Sequence, residues 1–205
     1  MTKTFLHIGC GHNTKSDTTS GFNSDSWDEI RVDINPEVSP DFVADMLDIS
    51  VISSCSIDAI FSSHNIEHLY PYQVQVALKE FYRVINDQGF LLITCPNLKP
   101  LGQLLSDDKL LDTLYESATG PITAIDILYG FRPSLAQGNH YMAHRCGFTK
   151  SILISCLTEA CFKSTASIER ESPFFDLWVV ASKQKLGKDK LLKLARDHFP
   201  IEDQG

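Results

Sequence analysis

Residues 71–95 read PYQVQVALKEFYRVINDQGFLLITC, a helix-period segment followed at once by an apolar run. Val74, Leu78, Phe81 and Ile85 recur at three- and four-residue steps, which lines one face of a helix, and Pro71 suits its first turn. Asp87-Gln88-Gly89 is the expected stop. FLLITC at 90–95 is then apolar on both faces, as a strand inside a parallel sheet must be. A helix leading into such a strand predicts an α/β fold with a mostly parallel sheet.

The same alternation extends in both directions. Upstream, Thr4–Ile8, Ile30–Ile34, Asp41–Ala44 and Asp58–Ser62 read as strands, and His12–Ser26 (HNTKSDTTSGFNSDS) as a polar loop. Downstream, helices are expected within 100–130 and over Thr149–Phe162, followed by closing strands at Ser164–Glu169 and Phe175–Ser182. From Lys185 the chain is a basic, Leu-spaced helix, expected as a solvated terminal extension. One domain over 1–183 and a basic tail over 184–205 follow as the expected organisation.

Composition sets the outer limits. Across 205 residues, 43% hydrophobic and 21% charged side chains fit a globular chain with its own core. The net charge is −8, and residues 1–182, with 12 basic and 22 acidic side chains, carry −10. Such a body lacks the cations that displace counterions from phosphates, so no nucleic-acid partner is expected. The six cysteines, at 10, 55, 95, 146, 156 and 161, form no CxxC pair and read as reduced thiols. Phe5–Ile8 is too short for a signal-peptide core, and no run reaches the ~18 apolar residues of a membrane span, so a cytoplasmic protein with no membrane partner is expected.

In an open parallel sheet, ligands bind beyond the carboxyl ends of the strands. The first strand ends in HIGCGHN (7–13), where two glycines one residue apart allow a tight turn and close backbone approach to a ligand. Thr14 occupies the place of the third glycine, which disfavours a dinucleotide loop. The second strand ends at Asp33, whose carboxylate can accept both hydrogen bonds of a ribose diol. The third ends in Asp45-Met46, an acceptor for an exocyclic amine beside an apolar cover for a ring.

With RVDINP (31–36), ADML (44–47), SSHNIEHL (62–69), the block at 78–97 and FDLWVVASK (175–183), these motifs make the chain resemble the class I S-adenosylmethionine-dependent methyltransferases, of the small bacterial type-11-like group. The resemblance spans residues 4–183. It implies a Rossmann-like sheet of seven strands, the last antiparallel, with helices on both faces. The implied cofactor is S-adenosyl-L-methionine, its methionine part held by His7, Gly9, Cys10, Gly11 and Asn13, its ribose by Asp33 with Ile34, and its adenine by Asp45 and Met46. Ser62 and His64 would face the sulfonium, and 100–147 would recognise a small-molecule or saccharide-linked acceptor. His7 departs from the acidic residue usual at the head of the first motif, and Gln88 interrupts the usual Pro-Gly-Gly turn.

Two other readings stay open at this level. One is a binding protein that keeps the cofactor but not transfer, motivated by His7 and the loop over 12–26. The other is a zinc hydrolase, because His64-Asn65-Ile66-Glu67-His68 also spells HxxEH. That motif needs both histidines on one helix face, and here it sits between a strand and Pro71, so no metal is expected. His140 and His144 form a second pair, flanked by Gly138 and Gly147, which disfavour a helix. Tyr129, Tyr141 and Arg145 stand in the same segment, as pocket wall or as core.

Overall fold

The computed structural model describes residues 2–117 and 119–200, so the last five residues of the 184–205 tail lie outside the described residues. A seven-stranded sheet organises the chain, in the order β3-β2-β1-β4-β5-β9-β8. Its members are β1 (Lys3–Ile8), β2 (Trp27–Asp33), β3 (Phe42–Val43), β4 (Ile57–Ser63), β5 (Ile85–Pro96), β8 (Ser164–Arg170) and β9 (Asp176–Ser182). The pairs linking β1 to β5 are all parallel, whereas β9 runs antiparallel to both β5 and β8. The expected sheet is therefore present, last strand reversed. The chain steps outward from β1 to β3 and then returns to place β4 on the other side of β1, so the crevice expected of such sheets opens at the ends of β1 and β4.

One face of the sheet carries α1 (Pro71–Val84) and α5 (Lys150–Glu159). Val74, Leu78 and Phe81 of α1 and Leu153 and Leu157 of α5 pack into one core with Leu6, Ile8, Ile60 and Leu91 of the strands. Helix α1 ends earlier than Asp87 because the carbonyls of Arg83 and Val84 accept from the amides of Cys55 and Ser56, which draws Ile85 straight into pairing with Ile57. Residues 86–89 then fall in a register shift of the ladder instead of making a separate turn.

The other face is covered differently. No α-helix joins β1 to β2; the connection carries only a short 3-10 turn, Lys15–Asp17, yet its Phe22 is fully buried. Around Phe22 gather Phe5, Trp27, Ala59, Phe61, Phe90, Leu92 and, from α6 (Lys188–His198) and just beyond it, Ala195 and Phe199. Two expectations are corrected here. The polar loop contributes a core residue, and the terminal helix, read from its charges as solvated, turns Leu191, Leu194, Ala195 and His198 onto the sheet. Its lysines occupy the outer face only, and amphipathic spacing outweighs mean polarity.

The segment after β5 holds α2 (Leu98–Ser106), a hairpin of β6 (Thr113–Ser117) and β7 (Gly120–Thr123), α3 (Ala124–Tyr129) and α4 (Arg132–Ala136). The hairpin was not expected among the helices predicted for 100–130. Leu101, Ile122, Ala124 and Ile127 build a small core of their own against Phe175. No helix among the described residues is long and apolar enough to cross a membrane.

Candidate functional site

At the end of β1 the chain turns through Gly9 at φ +64° and Gly11 at φ +54°. The two glycines are needed for different reasons. A Cβ on Gly9 would lie 2.1 Å from Oδ1 of Asn65, whose amide nitrogen donates to the carbonyls of Ile8 (2.8 Å) and Ser63 (2.9 Å) and so ties β1 to β4. A Cβ on Gly11 would meet nothing within 4 Å; its backbone faces open space. Gly9 is glycine to let protein approach, and Gly11 leaves an edge that a ligand can approach.

Asp33 accepts from the Gly11 amide through Oδ2 (2.8 Å) and from the Asn35 amide through Oδ1 (2.8 Å). Each oxygen keeps a further lone pair, so the carboxylate is oriented but not exhausted. The Ala44 amide donates to the Asp33 carbonyl at 3.0 Å, which sets Asp45 and Met46 beside it. Asp45 Oδ1 accepts from the Leu47 amide at 2.9 Å, Met46 is half-buried against the core, and Ile34 is exposed on the rim. Arg31, unmarked by sequence reasoning, holds the arrangement: its guanidinium donates to the carbonyls of Gly11 (2.7 Å), Asn13 (3.0 Å), Ser39 (2.9 Å) and Val38 (3.2 Å).

Beside this loop lies a cavity of about 470 Å³, walled by His7, Gly9, Asn13, Phe61, Ser63, Trp178, residues 17–20, Phe199 and Pro200. His7 is buried, and its Nδ1 meets Glu29 Oε1 at 2.7 Å. Burial lowers the imidazole's pKa against the opposing pull of Glu29, which favours the neutral ring. Glu29 Oε2 also accepts from the Lys15 amide at 2.8 Å, so an acid absent from position 7 is present one strand away. Cys10 is buried, with its thiol pKa raised by burial. Ser62 is fully buried with no partner for Oγ, and the cavity is lined by its neighbour Ser63. An open glycine edge, an acid with spare lone pairs, apolar side chains at 34 and 46 and a neutral imidazole fit the nucleoside and amino-acid parts of S-adenosylmethionine.

Residues 6–93 match the model of a family described as methyltransferase domain. Over those residues the chain is similar to methyltransferase domains, and its sheet has the fold of the S-adenosylmethionine-dependent methyltransferases. Solved structures agree on its fold: an S-adenosylmethionine-dependent methyltransferase from Methanosarcina mazei aligns at TM-score 0.58 and 17% identity, covering 88% of this chain and 92% of that one. One from Thermotoga maritima gives 0.56 and 14%, covering 90% and 84%. A Burkholderia thailandensis 1,6-didemethyltoxoflavin-N1-methyltransferase with bound substrate and S-adenosylhomocysteine gives 0.55 and 13%, covering 88% and 70%. No curated protein matches the sequence.

Directly after β4, His64 takes a backbone conformation in the left-handed region, at φ +52°. Backbone in this region is strained for a residue with a Cβ and is common where function fixes geometry. Its exposed ring places Nδ1 3.4 Å from Oε1 of Glu67, which is buried. Desolvation beside the buried carboxylate opposes charge on the imidazole, but the attraction of Glu67 outweighs it and raises the pKa of His64; on Glu67 burial is outweighed by His64, with help from His68 and His144, and its pKa is lowered. The two histidine pairs singled out in the sequence do not form as pairs. Instead His68 and His144, one from each, meet at Glu67, their rings 5.0 Å apart. Tyr129 and Tyr141 are exposed, not core, and the Arg145 guanidinium lies 5.1 Å over the Tyr70 ring.

Proposed function

We propose that this protein transfers the methyl group of S-adenosylmethionine to a small-molecule or saccharide-linked acceptor. The observation that supports the reading is that hydrogen bonds join three neighbouring strand ends: the open Gly11 edge, Asp33 hydrogen-bonded to that same residue, and Asp45 joined to Asp33 through Ala44. The cofactor supplies a methyl group already activated on a sulfonium, so the protein's task is alignment, which can account for several kcal/mol of barrier.

Asp33 binds the ribose diol through its remaining lone pairs. Ile34 and Met46 cover the adenine, and Asp45 accepts from its amine. Neutral His7, held by Glu29, accepts from the cofactor's ammonium through Nε2, which answers the missing acid of the first motif. Phe61, Trp178 and Phe199 keep water from the cavity. The acceptor enters under the 100–147 segment, whose exposed Tyr129 and Tyr141 offer ring faces to it. The features behind the inert-binder reading both support this one: His7 is satisfied by Glu29, and the 12–26 loop forms cavity wall.

Calorimetry with S-adenosylhomocysteine is the first test, with one site per chain as the expected result. The absence of heat at millimolar ligand overturns the reading. Incubation with methyl-labelled cofactor and a small-molecule extract is the second; label in an extracted product supports transfer, and cofactor binding without any labelled product favours the inert binder.

A further inference from the structure

The structure brings together three side chains that the methyl-transfer reading does not use. Glu67 lies on the 3-10 turn Ile66–His68 directly after β4, and His144 comes from the distant segment that leads into α5. Backbone hydrogen bonds clamp the two. The amides of Arg145 (2.8 Å) and Cys146 (3.2 Å) both donate to the Glu67 carbonyl, and the Arg145 guanidinium donates to the carbonyl of His68 at 2.6 Å. One ligand atom from each of Glu67, His68 and His144 then lies within 4.8 Å of the other two.

The hydrogen bonds around the cluster decide what it can hold. His68 Nδ1 lies 3.1 Å from the Ala143 carbonyl, and His144 Nδ1 lies 2.7 Å from that of Ile127. A carbonyl oxygen only accepts, so both Nδ1 atoms carry the proton and both Nε2 atoms are left with a lone pair. The Glu67 side chain is 1% exposed, and neither of its oxygens has a hydrogen-bond partner. The buried carboxylate thus stands beside two imidazoles that each keep a lone pair, and its nearest ring nitrogen besides theirs is that of the exposed His64 at 3.4 Å; a cation held between the three offsets the cost of burying that charge. Histidines whose second nitrogen donates to a backbone carbonyl are oriented as metal ligands are.

We propose that Glu67, His68 and His144 bind a divalent transition ion of the zinc type. Two imidazoles and a carboxylate suit Zn²⁺ better than Mg²⁺ or Ca²⁺, which favour all-oxygen shells. Bonds of about 2.0–2.1 Å in a tetrahedron set ligand atoms roughly 3.4 Å apart, a spacing inside the 4.8 Å within which the three already lie. Three protein ligands leave a fourth position for water or an incoming oxygen or nitrogen atom. The set is not the peptidase reading of HxxEH: His64 stands outside it and meets only Glu67. The site stands independently of methyl transfer.

The test uses Zn²⁺ alone on the full chain, stripped with a chelator and kept free of cofactor. Elemental analysis and competition against a chromophoric chelator are expected to show one ion per chain. Co²⁺ in its place is expected to give the visible bands of a four-coordinate site. His144→Ala and His68→Ala should each weaken Zn²⁺ binding by at least tenfold, and Glu67→Gln likewise, while His140→Ala, an exposed histidine outside the cluster, should bind as the parent does. Circular dichroism separates folded variants from misfolded ones, and Zn²⁺ should raise the melting temperature of the parent but not of His144→Gln. No stoichiometric Zn²⁺ at micromolar free metal, or unchanged affinity in both folded histidine variants, overturns the proposal.

Discussion

The two faces of the central sheet are built on different plans. Behind α1 and α5, each element packs on strands close to it in sequence, and the core is a continuous aliphatic layer. On the opposite face the β1–β2 connection is a loop, and an aromatic cluster centred on Phe22 closes only when α6 arrives from the other end of the chain. That second face also carries the wall of the cavity beside the glycine loop, including Phe199 and residues 17–20. The contrast teaches that the cavity beside the glycine loop is closed by residues almost a whole chain away.

If so, the Phe22 face should be as sensitive as any core, despite its polar covering. Phe22→Ala is expected to cost about 3–5 kcal/mol by denaturant unfolding, the range for burying a cavity of that size, and to weaken S-adenosylhomocysteine binding as well. A loss below 1 kcal/mol would show the loop to be dispensable.

Acid should attack the same face next. His198 is buried against Phe22, Trp27 and Phe90 with no partner for Nδ1, and burial pushes its pKa down to about 4. The unfolded chain takes up this proton near pH 6.5 and the folded one does not until about 4. Stability from this group is therefore complete above about pH 6.5 and falls by roughly 3 kcal/mol as pH drops to about 4. His198→Leu should flatten that part of the pH profile, and an unaltered profile would exclude His198 as its source.

Gly21 is the contact point between loop and helix: a Cβ there would lie 2.1 Å from the Asp197 carbonyl oxygen. Gly21→Ala is accordingly expected to cost about 1–3 kcal/mol and to speed amide exchange in α6 before that in α1. Equal acceleration in both helices would mean that the two faces open together.

Smaller effects should separate site from scaffold. Asp33→Ala is expected to weaken cofactor binding by about tenfold to a hundredfold, the loss of charge-assisted hydrogen bonds of about 1.5–3 kcal/mol. Arg31→Gln, which keeps part of the donor set that pins the loop, should weaken it only several-fold. Unchanged affinity in the Asp33 variant would remove the ribose assignment.

Much of this was legible because it is local. The period of Val74, Leu78 and Phe81 gave α1, the two-faced apolar run gave β5, and Gly9, Gly11 and Asp33 lie at strand ends where sequence order alone brings them together once the sheet forms. Local pattern failed at the end of α1, where the amides of Cys55 and Ser56 capture the last carbonyls, and at α6, whose eleven residues look solvated until the sheet offers a face to them. It was silent on which histidines meet, and the two spaced pairs it disfavoured as helical metal sites do not form. The pairs suggested by spacing, 64 with 68 and 140 with 144, are not the ones that meet.

The sequence by itself determined the alternation of strands and helices, the glycine turn and the acids that follow it, since each depends on backbone freedom or side-chain period over a few residues. Tertiary structure alone decided that Glu29 lies against His7, that Arg31 binds four loop carbonyls, and that His144 reaches Glu67. Those contacts cross between strands or between distant segments. Their partners are chosen by where packing puts the backbone, and no short stretch of sequence records that.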